Sequence, residues 1–179
     1  MAGELADALA HSRTCSSFST FHPTRIVMNE IQSAAELILR LYEIRREPEL
    51  RAARDWFASQ FFPQSVEDVL TAWTGADSAR YRMTTTYWEM AATLVNHGAI
   101  PEAMFHDANT EHVAVYVKLQ PHLEHLRRVA RYPGYLAQLE HLVSGIPNLE
   151  QVAAPIRAYL ELKRKQLAET PPAASGPSD

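Results

Sequence analysis

The sequence is short of the features that mark secreted, membrane and disulfide-rich proteins. Cys15 is the single cysteine among 179 residues, so an internal disulfide framework is excluded and a reducing compartment is expected. No apolar run approaches the roughly 18 residues that cross a bilayer. The first 20 residues contain Glu4 and Asp7 where a secretory signal would have a continuous apolar core. We therefore expect a cytoplasmic protein without a membrane span.

Motifs for several kinds of chemistry are also missing. The six glycines are scattered and form no phosphate-binding loop, and no G-x-S-x-G nucleophile turn occurs. H-E-x-x-H and Glu-x-x-His spacings are absent, which excludes the zincin helix and the di-iron helix pair. The net charge of −4 creates no basic field, so we expect no nucleic-acid partner.

Helical periodicity is the main positive signal. Tyr87, Met90, Ala91 and Leu94 recur at helical spacing and predict one apolar stripe. His97-Gly98 then predicts the end of that helix, because glycine tolerates the left-handed turn that follows a last helical residue. No strand-like alternation of useful length appears, so the sequence predicts an all-α fold.

Other segments of the chain have the same periodicity. Ser65, followed three residues later by Asp68, predicts a capping box, and Asn29 is the expected N-cap of the first helix. Two sets of apolar residues are expected to form the inward faces of the first and last helices: Ile31, Ala34, Ala35, Ile38, Leu41 and Tyr42; and Leu149, Val152, Ile156, Tyr159, Leu160 and Leu167.

These patterns predict a single irregular bundle of six or seven helices over residues 28–168. Residues 1–27 are Ser-, Thr- and Ala-rich and are expected to form a mobile extension, with Met28 as an alternative start. Residues 169–179 are rich in proline, alanine and serine and are expected to be disordered. Pro121 and Pro155 each predict a kink or the start of a new helix.

One stretch resembles a known family. Tyr87-Trp88-Glu89, Gly98-Ala99-Ile100, Phe105, Lys118-Leu119, Pro121 and Arg127 are similar to a bacterial family described as domain of unknown function 4760. The resemblance implies a helical core and supplies no activity. Members of that family often look membrane-anchored through an N-terminal apolar helix, whereas residues 1–27 of this chain are polar.

Histidines provide the candidate metal ligands. Five of the eight histidines lie between His106 and His141. His122 and His125 are three residues apart, so they can share a helix face, and His112 precedes them. These three residues are the predicted ligands of a metal site. The alternative interpretation is that the histidines are solvated or cap helices.

Glu89 is the candidate for acid–base chemistry. Burial within the long helix would raise the pKa of this carboxyl group and suit it to general acid or base catalysis. The alternative is a salt bridge to Arg80, Arg82 or a more distant arginine. Cys15 lies in the expected extension, where an activated thiolate is hard to build.

Aromatic and basic residues suggest an interface. Phe61 and Phe62 are consecutive, and consecutive residues of a helix point in different directions, so one of them is expected on an exposed apolar patch. Arg127 and Arg128 add guanidinium groups of the kind that are common at interfaces.

The functional expectation is a non-enzymatic helical interaction or scaffold module with a protein partner or self-association, and with no cofactor. The alternative is a small-molecule or metal-binding helical protein that uses the histidine-rich second half. An enzyme built around Glu89 is a third, more distant possibility.

Overall fold

The structure is a computed structural model that describes residues 23–169, with side chains from residue 29 onward. Eight helices make up almost all of this range: α1 (Pro23–Arg45), α2 (Pro48–Ser59), α3 (Val66–Thr74), α4 (Ser78–Asn96), α5 (Glu102–Ala108), α6 (Glu111–Val129), α7 (Ala137–Ser144) and α8 (Leu149–Glu169).

The all-α prediction is confirmed, and the described residues contain eight helices instead of the expected six or seven. The first helix begins at Pro23, so Asn29 lies inside it and is not its N-cap. Residues 23–27 of the expected extension belong to α1, and Glu169 of the expected tail belongs to α8. The rest of both segments, with Cys15, lies outside the described residues. Pro121 and Pro155 both lie within continuous helices, α6 and α8, so neither starts a new one.

Two predicted helix ends are confirmed. Ser65 accepts the backbone N–H of Asp68, and the Asp68 carboxylate accepts the backbone N–H of Ser65 at 3.0 Å, which completes the capping box of α3. At the end of α4, Gly98 has a φ of 76°. Its N–H donates to the Val95 carbonyl, and the Ala99 N–H donates to the Leu94 carbonyl, which is the Schellman pattern.

Helix α4 is the centre of the fold and packs against α2, α3, α5, α6 and α7. Its buried positions include Tyr81, Trp88 and Ala91, and the Tyr81 hydroxyl accepts a hydrogen bond from the Tyr135 hydroxyl at 2.7 Å. Each of these two buried hydroxyl groups therefore has a hydrogen-bond partner.

Helices α1 and α8 lie at the periphery, α1 against α2 and α8 against α6. The predicted inward faces of these two helices are correct only in part. Ala34 and Leu41 of α1 and Leu160 of α8 are buried. Five residues expected to face inward, Ile31, Tyr42, Val152, Tyr159 and Leu167, are exposed. Each outer helix therefore buries some of its apolar side chains and leaves others exposed to solvent.

Between Pro23 and Glu169, no helix combines the length and apolarity needed to cross a bilayer.

Candidate functional site: an apolar groove and buried polar contacts

The predicted histidine ligands do not meet at one point. His112 and His122 lie ten residues apart on α6, which is about 15 Å along a helix axis. His122 is buried, whereas His125 faces solvent. Within residues 23–169, no group of three or more His, Cys, Asp or Glu side chains is arranged to hold a metal ion.

His112 is buried and instead pairs with the half-buried His106. Its Nε2 lies 3.1 Å from Nδ1 of His106, and its ring packs edge-on against Phe105. His106 Nε2 is 3.4 Å from a Glu102 carboxylate oxygen. Burial, with a smaller effect of His106, lowers the pKa of His112 to about 3. His112 is therefore uncharged at neutral pH, and its ring forms a core contact between α6 and α5.

Phe61 and Phe62 are both buried, so the predicted exposed patch is wrong. Helix α2 ends at Ser59, and the phenylalanines follow it in non-helical backbone that turns both rings inward. The Phe61 ring stacks on Trp56 at 5.1 Å. The Phe62 ring lies 4.3 Å from the Lys118 ammonium.

Lys118 closes the end of α2 from a neighbouring helix. Its buried ammonium donates hydrogen bonds to the backbone carbonyls of Phe57 and Phe61, and it lies over the Phe57 and Phe62 rings. The last carbonyl groups of a helix have no hydrogen-bond partner within that helix, and Lys118 supplies a donor at this helix end. Burial, together with the positive charge of Arg164, lowers the pKa of Lys118 to about 7.

The two predicted interface arginines have different environments. Arg127 is partly buried, donates to the Tyr135 carbonyl at 2.8 Å and pairs with Glu140 at 2.7 Å. Arg128 is exposed. Arg127 thus joins α6 to α7, and only Arg128 has a side chain open to a partner.

Glu89 caps the start of α7. One carboxylate oxygen accepts the Gln138 N–H at 3.0 Å, and the other accepts the Leu139 N–H at 2.8 Å. A negative group at a helix N-terminus is stabilised both by these bonds and by the helix dipole. The predicted salt bridge to Arg80 or Arg82 does not form, since Arg80 pairs with Asp77 and Arg82 donates to the Ser78 carbonyl.

A charged cluster joins α1, α2 and α6. Arg45 and Arg54 both bind the Glu111 carboxylate, and Arg45 also donates to the Asn109 side chain at 3.1 Å. The Arg45 guanidinium lies 5.3 Å from the centre of the Trp88 ring. Five of the six guanidinium nitrogens donate within the cluster, and the sixth, Arg45 Nε, is buried, so this cluster holds α1 in place.

An apolar groove open to solvent lies between the end of α1, the start of α2 and one side of α4. Its volume is about 530 Å³. Leu50 and Tyr87 are buried beneath it, and Met83 and Met90 border it from α4. Met90, predicted as part of the core stripe, is 44% exposed here. Methionine side chains are flexible and polarizable, so they adapt to varied apolar partners.

The groove has an acidic rim. Among the nine described residues that line it, the charged ones are Glu47 and Glu49. Within the described residues, neither carboxylate has an ion-pair or hydrogen-bond partner. The arrangement suits a ligand with apolar groups for the floor and a cation for the rim.

Little in the sequence predicts this groove. Met90 follows the same helical spacing as the buried residues, so periodicity alone places it in the core. Glu47 and Glu49 flank Pro48 and are typical of solvent-exposed charged residues. The groove exists only where the end of α1, the start of α2 and α4 come together in the fold.

The described residues define a class of protein: an all-α domain whose first and last described helices lie at the periphery and which has an apolar groove open to solvent. Residues 30–146 match the model of a family described as Domain of unknown function (DUF4760). The match spans more than half of the chain, so the protein belongs to this family. Among curated proteins and among solved structures, no match reached significance. The groove lies within the matched segment, whereas α8 begins after it.

The residues that carry the family resemblance have structural roles in this chain. Glu89 caps α7, Gly98 ends α4, Lys118 closes α2 and Arg127 ties α6 to α7. Phe105 is fully buried. The residues that carry the resemblance therefore stabilise the packing of the helices.

Proposed function

We propose that this chain is a non-enzymatic protein-interaction module whose groove binds an amphipathic helix that carries basic residues. The observation that carries the proposal is an apolar groove whose two rim carboxylates are unpaired within the described residues. Helix-binding grooves take apolar side chains at successive turns, and adaptable methionines are common in them. The low cysteine content favours a reducing compartment such as the cytoplasm, and we propose an accessory or scaffold role there.

The competing classes have less support. Both oxygens of Glu89 are engaged by backbone N–H groups, which leaves this carboxylate a poor acid–base catalyst. A metal site at His112, His122 and His125 would need His112 to reach an ion bound about three to four helical turns further along α6. Metal binding by His122 and His125 alone stays a prediction.

Binding of two synthetic helical peptides tests the proposal. The peptides share one apolar heptad pattern, and the positions beside it are lysine in one peptide and glutamate in the other. Fluorescence anisotropy should show that the wild-type protein binds the lysine peptide more tightly. Met90→Glu should weaken that binding at least tenfold, because it places a charge in the apolar groove, and tenfold corresponds to about 1.4 kcal/mol.

A charge reversal makes the test specific. The double variant Glu47→Lys, Glu49→Lys should prefer the glutamate peptide. The matched control, Glu67→Lys with Glu124→Lys, changes the net charge equally at exposed positions outside the groove and should keep the wild-type preference. Equal preferences in the two double variants, or unchanged binding to Met90→Glu, would mean that the groove is not the binding site.

A further inference from the structure

Helix α8 has an uncovered apolar face in addition to the face that packs on α6. Ala153 and Leu160 are its buried residues. On another side of the helix, Val152, Tyr159 and Leu162 are 42%, 48% and 53% exposed. Their spacings of seven and three residues place them along one stripe of a helix.

A basic group accompanies this stripe. The Lys163 ammonium lies 5.8 Å from the centre of the Tyr159 ring and bonds the Gln166 side chain at 3.2 Å. Lys165, further along the helix, is exposed. The uncovered face thus offers apolar groups with a cation beside them, which is the chemistry that the groove and its two carboxylates complement.

A single chain cannot bring these two surfaces together. Helix α8 packs on α6, and Arg164 anchors it by donating to the Pro63 carbonyl at 2.7 Å. The groove is lined from α1, α2 and α4, and none of its nine described lining residues belongs to α8. An α8 face that fits the groove must therefore come from another molecule.

We propose that the groove binds α8 of a second copy of this chain, with Tyr159 and Leu162 on the apolar floor and Lys163 beside Glu47 or Glu49. The inference rests on the proposed function and names its partner. The contact joins two different surfaces, the groove of one molecule and the α8 face of another, and is therefore heterologous. Each molecule carries both surfaces.

Complementation between two variants tests this contact by light scattering. Leu162→Glu removes the α8 face and keeps the groove, whereas Met90→Glu removes the groove and keeps α8. Both positions are exposed, so the fold should tolerate either change. The wild-type mass should rise with concentration, and each variant alone should stay monomeric. An equimolar mixture should form a 1:1 complex, since one intact groove and one intact α8 remain.

Two controls separate this contact from other kinds of association. Val129→Glu, at a position on α6 that is 50% exposed and outside both surfaces, should associate as the wild type does. Fluorophore-labelled Met90→Glu protein, which keeps α8, should bind the Leu162→Glu protein in an anisotropy assay and should bind unlabelled Met90→Glu protein at least tenfold more weakly. This second readout does not depend on the mass measurement.

The outcomes distinguish the two proposals. A wild-type protein that stays monomeric, or a variant mixture in which no complex forms, would overturn the assignment of α8 as the occupant. If the lysine peptide still binds the groove in that case, the proposed function stands with a different basic helix as partner. If the lysine peptide also fails to bind, the proposed function fails as well.

Discussion

Lys118 shows at the scale of one residue how a buried amino group can have a structural role. Its ammonium satisfies two backbone carbonyls at the end of α2 and lies against two phenylalanine rings. Nothing in the local sequence identifies those partners, which lie 57 and 61 positions away along the chain. The position matters because an unpaired buried carbonyl costs about 1–3 kcal/mol.

Replacing Lys118 with methionine should therefore destabilise the protein by about 1–3 kcal/mol, because the carbonyls of Phe57 and Phe61 lose their donor. Urea unfolding measures the change in the free energy of unfolding. Lys165→Met, at an exposed position on α8, is the matched control and should stay within about 0.5 kcal/mol of the wild type. Equal stabilities for the two variants would show that Lys118 does not cap α2.

His112 makes stability depend on pH. Its pKa is about 3 in the folded protein and about 6.5 in an unfolded chain. Between these values the unfolded chain binds a proton that the folded protein does not, so the free energy of unfolding should fall as pH drops from about 6.5 towards 3. His106 contacts His112, and Glu102 contacts His106; both residues are kept unchanged in the test.

The variant His112→Phe should reduce this slope, because phenylalanine fills a similar volume and binds no proton. Denaturant unfolding at several pH values between 7 and 4 measures it. His125→Phe, at an exposed position on the same helix, should keep the wild-type slope. If both variants have the same slope, protonation of His112 does not contribute to acid sensitivity.

At the scale of elements, the ends of helices decide how α7 joins the bundle. Helix α7 has eight residues, and Leu136 at its N-cap position supplies no side-chain cap. Glu89 supplies that cap from α4, and Asn96 of α4 donates to the Gln138 carbonyl at 2.9 Å. A helix this short has little stability of its own, so it depends on these contacts and on burial of Leu139 and Leu142.

The variant Glu89→Gln should cost about 1 kcal/mol, because the amide keeps one acceptor oxygen and loses the charge that favours a helix N-terminus. Hydrogen exchange should show weaker protection of the Gln138 and Leu139 amides in particular. Glu124→Gln, at an exposed position on α6, should leave both amides protected. Undiminished protection in Glu89→Gln would contradict the capping role.

The sequence predicted some elements well because their signals are local. The capping box of Ser65 and Asp68 spans four residues, and the glycine stop at Gly98 concerns one turn of the chain. The prediction for Phe61 and Phe62 failed because it assumed that they continue a helix. The partners of Glu89 and Lys118 lie about 50 or more residues away, and no local pattern encodes such a pairing.

At the scale of the whole molecule, α8 is an addition to the segment that matches the family. It is attached through the buried Ala153 and Leu160, through Arg157 bonded to Gln120, and through Arg164 bonded to Pro63. This attachment presents the uncovered face of α8 to solvent. Few buried side chains secure a long helix, so each of them should matter for the position of α8.

Leu160→Ala should destabilise the protein by about 2–5 kcal/mol, the range found when a buried leucine leaves a cavity. Leu167→Ala, at a position of α8 that is 50% exposed, should change the free energy of unfolding by less than about 0.5 kcal/mol. Urea midpoints measured by circular dichroism compare the two. Matching midpoints would indicate that α8 contributes little to the stability of the bundle.

The sequence by itself determined the all-α class and several helix ends, because apolar spacing and capping depend on residues within one or two turns of each other. The tertiary structure decided which side of α1 and α8 is buried, which backbone groups Glu89 and Lys118 satisfy, and where Met90 and the two carboxylates border open space. Those outcomes depend on how helices cross, and the crossing brings together side chains that are far apart along the chain.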